Sequence, residues 1–252
     1  MGIENSFENL SEEIIKPWEI YEKDEGFPEI AIVTFRSQFL DIIKSNPNAE
    51  VIREAKSGSF NAPAYAITHK GKRIAVYKSV VGGAGSVMWL EAIIAWGVKK
   101  FVFFGDCGTL DKNIADGNLI VPTEAYRDEG TSYHYMPAGD YIEVKTADKL
   151  SDIMTELKLP HIKGKTWTTD APFRETRNNM LKRKAEGCLT VEMECASIMA
   201  AAQFRGVDAY QYLYAADNLD AAEWEMRSLG SEVSLSAYEK YLIIALDIAA
   251  MI

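Results

Sequence analysis

The chain has 252 residues, 48% of them hydrophobic and 25% charged, with 37 acidic side chains against 27 basic ones and a formal net charge of −10. That composition supports a globular core, and so negative a surface excludes nucleic acid and anionic membrane as partners unless a local basic patch intervenes. The short basic run at 182–184 reads as a solvated helix face. Three cysteines (Cys107, Cys188, Cys195) and three histidines (His69, His134, His161) show no disulfide framework and no zinc spacing, so neither a metal nor a cofactor is expected.

The N-terminal stretch MGIENSFENLSEEII is acidic and lacks the apolar region of a signal peptide. Met-Gly with Ser6 matches a lipidation pattern in name only, since no polybasic segment supports it. Runs rich in β-branched and aromatic residues then predict strands at 29–35, 73–81, 100–106, 117–127, 189–193 and 209–217. Several are apolar on both faces, as strands covered on each side by helices should be. Helical spacing closed by glycine predicts helices at 86–97 and 195–206. A last helix is expected from near Ser231, with Glu232 in its first turn, to the C-terminus. Its apolar run YLIIALDIAAMI is too short to cross a bilayer and is interrupted by Asp247.

Alternating strands and helices without a linker or repeat predict one three-layer α/β domain over 1–252, with 1–28 as an N-terminal extension, and a cytoplasmic location. Ligands in such folds bind at the carboxyl ends of strands, which directs attention to four places. The turn VVGGAGS (80–86) offers backbone N–H groups to an anion or hydroxyl, with Gly85 and Ser86 as candidate contacts, and is equally a tight turn. In FFGDCGTL (103–110), Gly105 and its companion glycine bracket Asp106 and permit close approach to a ligand, or simply end a strand. In VEME (191–194), strict alternation sends Glu192 and Glu194 to one side and Met193 to the other, unless the strand ends there. Asp217 in AADNLD follows a very apolar run; its commoner use would be to cap a following helix.

In joint order these segments resemble the nucleoside phosphorylase family, which includes hexameric purine nucleoside phosphorylase, uridine phosphorylase and the methylthioadenosine nucleosidases. The likeness runs from about Glu29 to the C-terminus and is clearest in WGVKKFVFFGDCGTL, in DGNLIVPTEAYRDEGTSYHY, and in VEMECASIMAAAQFRGV followed by AAD. It implies a mixed, partly barrel-like sheet surrounded by helices, and assembly as a dimer or hexamer. It further implies cleavage of an N-ribosidic bond with phosphate as co-substrate. By position, Glu194 matches the acceptor of the ribose hydroxyls, Met193 the wall behind the sugar, and Glu192 a supporting residue. Asp217 matches the acid that purine-cleaving members use at N7 of the leaving base. The segment TWTTDAPFRET (166–176) lacks the Gln-x-Arg of the pyrimidine branch, and its Phe173, or else Trp167, is placed to stack on a base.

The nucleophile end departs from the family pattern. Of the N-terminal phosphate loop only Arg36 remains, in IVTFRSQF; Arg53 is a candidate for the arginine that a neighbouring subunit often supplies. Phe103 replaces a strand arginine, and Asp106 a hydroxyl residue. A carboxylate there opposes phosphate by about 1–4 kcal/mol at 4 Å for effective dielectrics of roughly 80 to 20. Three readings therefore stand. In phosphorolysis of a purine nucleoside, Asp106 is turned away; in hydrolysis, Asp106 or a nearby acid activates water; the third is nucleoside binding without catalysis.

Overall fold

A computed structural model of the chain describes residues 2–56, 58, 60–230 and 235–252. In chain order the first elements are α1 (Pro17–Ile20), β1 (Ile30–Thr34), α2 (Ser37–Ser45), β2 (Glu50–Lys56), β3 (Asn61–His69), β4 (Lys72–Lys78), α3 (Gly83–Trp96), β5 (Lys100–Thr109) and β6 (Leu119–Asp128). After them come β7 (Tyr141–Glu143), α4 (Ala147–Glu156), β8 (His161–Thr169), α5 (Arg177–Ala185), β9 (Cys188–Glu192), α6 (Cys195–Arg205), β10 (Asp208–Asn218) and α7 (Leu235–Met251). The expected start of the last helix, at Ser231 and Glu232, lies outside the described residues. Among the described residues, no helix is long and apolar enough to cross a membrane.

The strongly apolar strands sit where their sequence puts them, and both glycine-ended helices close on a glycine at positive φ, Gly97 at +121° and Gly206 at +69°. Three differences carry weight. β5 does not end at Asp106 but runs on through Cys107 and Gly108 to Thr109, because β10 pairs with it along that whole length. α3 begins at Gly83 rather than near Ser86. β2, β3 and β8 are strands that the apolar pattern does not announce: they carry lysine, glutamate, histidine and threonine, and ladder bonding to neighbours holds them instead.

The sheet is mixed, as the resemblance implies. β1 lies between β4 and β5, parallel to both, and β3 and β2 extend this wing antiparallel. The other wing closes on itself: β5 joins β10, β10 joins β6, β6 joins β8, β8 joins β9, and β9 returns to β5. That five-strand ring is the barrel-like part. Helices cover the outside, with α3 against α6 on one flank and α2 and α4 against α7 on the other. Rings knit β5 to its neighbours, since Phe104 stacks on Tyr212 at 5.4 Å and meets Phe39 edge-on at 4.7 Å.

The α3–α6 contact is close because Gly83 has no side chain. A Cβ there would stand 2.2 Å from Ser197 Oγ, whose hydroxyl donates to the buried Glu129 carboxylate. Overpacking of a tight core costs about 1–3 kcal/mol. Gly83→Ala is therefore expected to lower unfolding free energy by about that amount in urea denaturation; an unchanged midpoint would show the helix pair to be more compliant than its geometry implies.

Candidate active site

Strand β9 ends at Glu192, so the alternation expected of VEME breaks there. Glu194 becomes the N-cap residue of α6, with φ −136° and ψ −27°, and the two acids part company. Glu192 turns back over the helix start. Its Oε2 accepts from the Glu194 and Cys195 backbone N–H groups at 2.8 and 2.7 Å, and its Oε1 accepts from the Thr168 hydroxyl at 2.5 Å. Thr168 in turn accepts from the Ala196 N–H at 3.0 Å. Burial pushes the Glu192 carboxyl up, and these three donors pull against it. The helix N-terminus is thereby satisfied by an acid, which favours the charged form.

Glu194 reaches the other way. Its Oε1 accepts from the Gly82 N–H at 2.6 Å, in the glycine turn that opens α3. Burial and then the neighbouring Glu192 charge push its carboxyl up. The turn that reads in sequence as an anion holder is taken by the Glu194 carboxyl.

Asp217 lies within β10 and caps no helix. It faces Gly108 of β5, where a Cβ would come 3.1 Å from Asp217 Oδ1, so glycine is what lets the carboxylate sit there. Past β10 the chain folds back, Asn218 and Glu225 exchanging backbone bonds at 2.9 and 3.1 Å. That return delivers the Trp224 indole N–H to Asp217 Oδ2 at 2.8 Å. Burial raises the Asp217 carboxyl, with the Trp224 bond opposing it.

Arg36 and Asp106 form the third part. The guanidinium donates from Nε to Asp106 Oδ1 at 2.9 Å and from a terminal nitrogen to Oδ2 at 2.8 Å, a two-pronged pair with both side chains about one-quarter exposed. The Asp106 bonds make the Arg36 proton still harder to remove. Glu194, Asp217, Asp106, Met193, Glu192 and Gly105 all line one cleft of about 720 Å³ at the carboxyl ends of the strands. The sequence that builds this cleft matches the family model of the phosphorylase superfamily over residues 29–237.

The chain belongs to the phosphorylase superfamily. It is similar to purine nucleoside phosphorylases of the DeoD type from Bacillus thuringiensis (strain Al Hakam) and Bacillus mycoides (strain KBAB4). Each is 28% identical over 186 residues, which is 72% of this chain and 77% of theirs. Among solved structures, purine nucleoside phosphorylase from Toxoplasma gondii in complex with immucillin-H superposes with a TM-score of 0.73. Identity there is 18%, over 89% of this chain and 90% of that one, so this likeness establishes the fold.

Not every residue singled out in the sequence stands on the cleft wall of this phosphorylase-superfamily chain. Ser86 is buried behind the glycine turn, donating to the Val80 carbonyl at 2.8 Å and accepting from Ser79 at 3.2 Å, and Gly85 packs against the Val80 side chain. Both hold the turn rather than face a ligand. Arg53, on β2, pairs with Asp24 at 3.4 Å and lies over the Trp96 ring at 5.0 Å, away from the cleft of its own chain. Trp167 is buried, its N–H given to Asp128 at 2.9 Å, so it does not stack on a ligand. Phe173 does line the cleft, at its rim and fully exposed. In the basic run, Arg183 is buried on the Tyr126 ring rather than solvated.

Other residues emerge only from the fold. Trp224 is a lone aromatic in an acidic loop, with no sequence signal. Arg177 lines the cleft and fixes the 219–225 loop by donating to the carbonyls of Leu219, Ala221 and Ala222 at 3.1, 2.6 and 3.1 Å. The Glu175 side chain, also in the cleft, makes no hydrogen bond or ion pair among the described residues, and its carboxyl is pushed up to about 7 by burial and then by Asp217.

A carboxyl that holds its proton more tightly when folded makes stability fall as pH rises from its ordinary value of 4.5 to about 7, with the loss complete above that. Glu175→Gln removes this contribution. The difference in thermal midpoint, variant minus wild type, is expected to grow in the variant's favour between those two pH values and level off beyond them. A difference that stays constant across that range would mean the carboxyl titrates alike in both states.

Proposed function

We propose that the protein is a pentosyltransferase that cleaves the N-ribosidic bond of a purine nucleoside, with phosphate as the acceptor. The observation that carries this reading is the convergence of two buried acids, Glu194 and Asp217, on one cleft whose wall also includes Asp106, the carboxylate that holds the Arg36 guanidinium behind it. The superfamily membership and the named relatives support it.

Breaking the bond between C1′ and the base nitrogen sends the electron pair to the base and leaves a cation-like ribose. Glu194, fixed by Gly82, accepts hydrogen bonds from the ribose hydroxyls and so holds the sugar in place as positive charge develops on it. Met193 walls the sugar. Asp217, whose carboxyl burial raises, is the proton donor to N7 of the departing purine. A phosphate oxygen then forms the new bond at C1′. A purine rather than a pyrimidine is favoured because Asp217 supplies an acid, while Arg177, the arginine on this part of the wall, is occupied by three loop carbonyls.

One observation favours hydrolysis as a second reading: the Arg36 fork is filled by Asp106, which leaves water as the acceptor in place of phosphate. Base release from inosine, adenosine, guanosine, uridine and methylthioadenosine, measured with and without phosphate, separates the two. Release only with phosphate is expected; equal release without it would establish hydrolysis, and binding without release would leave a nucleoside-binding protein.

Two variants refine this. Asp217→Asn is expected to lower kcat on purine nucleosides by about 10²–10⁴ with an unchanged circular dichroism spectrum. Full activity would remove Asp217 as the general acid. We also propose a homo-oligomer, dimer or hexamer, in which Arg53 of one copy approaches another copy's site. Sedimentation of a monomer with full activity would dismiss that role.

A further inference from the structure

β1 and β5 run parallel with Thr34 opposite Phe104, so two residues further on Arg36 comes opposite Asp106. On the other side of β5, Tyr214 of β10 is the register partner of Asp106. Arg36, just past the end of β1, thus lies in one row with Asp106 within β5 and Tyr214 within β10. Within that row the guanidinium is saturated on one edge by both oxygens of Asp106. The Tyr214 hydroxyl is buried without a partner among the described residues, near enough for the Asp106 charge to act on it. The other anion holder on this side, the Gly82 N–H, is taken by Glu194.

We infer that Asp106 is an internal competitor for the phosphate site, a carboxylate seated on the Arg36 fork that an incoming phosphate must displace. Its place in catalysis rests on the phosphorolytic reading above; its effect on anion binding does not. Phosphate and the Asp106 carboxylate cannot share the fork, because both are negative and both need the same two N–H groups. When Asp106 leaves, the guanidinium is open and the Tyr214 hydroxyl, one strand over, is a donor with no other use. Phosphate affinity is therefore set by the strength of the Arg36–Asp106 pair as much as by the phosphate contacts. The residue at 106 is the specificity determinant of the acceptor subsite.

The test is calorimetric titration of inorganic phosphate into the full chain without nucleoside, on wild type, Asp106→Ser and Asp106→Asn. Both variants are expected to bind phosphate about tenfold more tightly or better. Adding Arg36→Gln to either should abolish the gain. Asp106→Asn preserves side-chain shape and one acceptor for Arg36, so it serves if the serine variant unfolds. Phosphate affinity that is unchanged or weaker in the folded variants overturns the inference. A companion assay of base release keeps the two proposals apart. If wild type releases base regardless of phosphate while the variants still gain about tenfold in phosphate affinity, the competitor stands and phosphorolysis falls. If the variants lose phosphate-independent release and gain no phosphate affinity, Asp106 serves water and the competitor is dismissed.

Discussion

Residues Lys100–Phe104 of β5 lie between β1 and β10, whereas Gly108 and Thr109 lie between β10 and β9. Between those stretches, Gly105, Asp106 and Cys107 have a ladder partner on the β10 side alone, because β1 has ended at Thr34 and β9 has not yet arrived. A sheet that changes neighbours along one strand must part there, and the parting is the cleft. Everything chemical in the protein depends on that exchange. Arg36 is what β1 leaves behind as it departs, the VEME segment is what β9 brings in, and β10, which stays throughout, supplies Asp217 and Tyr214.

A gap lined by acids is electrostatically costly unless each acid has donors, and the fold meets that demand with backbone at helix starts. Glu192 takes the first amides of α6, and Glu194 takes the Gly82 amide ahead of α3. These bonds do two things at once. They keep two carboxylates two residues apart from disrupting the core, and they fix the orientation of Glu194 before any ligand arrives. The other cleft acids lack such amides: Asp106 is held by the Arg36 guanidinium, Glu175 has no side-chain donor among the described residues, and Asp217 is served by one indole from a loop that Arg177 braces. A loop thus holds the base end of the cleft where helix starts hold the sugar end.

How much of this the sequence discloses follows from what kind of force places each residue. β1, β4, β5 and β10 are legible because Ile, Val, Phe and Tyr runs are buried on both faces whatever surrounds them. β2, β3 and β8 are not, since Glu50–Lys56 or His161–Thr169 become strands only through partners distant in the chain. The VEME acids and Asp217 can be picked out beforehand because a charged residue at the end of an apolar run is a local anomaly. Ser86 and Gly85 mislead, since a glycine turn that serves packing and one that serves a ligand have the same letters. Trp224 and Glu175 are silent because their role is conferred by the return of a loop. Asp106 is visible as a departure, but its bond to Arg36, 70 residues earlier, exists only once strand register is known.

Cys107 shows a last effect of crowding acids at one strand end. It lines the cleft, yet its thiol is buried and lies 3.6 Å from the Tyr214 carbonyl, to which it donates. Burial first, and then the charges of Asp106, Asp217 and Glu192, push the thiol well above its ordinary range. Nucleophilicity toward alkylating agents and peroxide belongs to the thiolate, which this setting suppresses. A cysteine on the cleft wall is in this way held as the thiol, by burial first and by the acids that shape the cleft second.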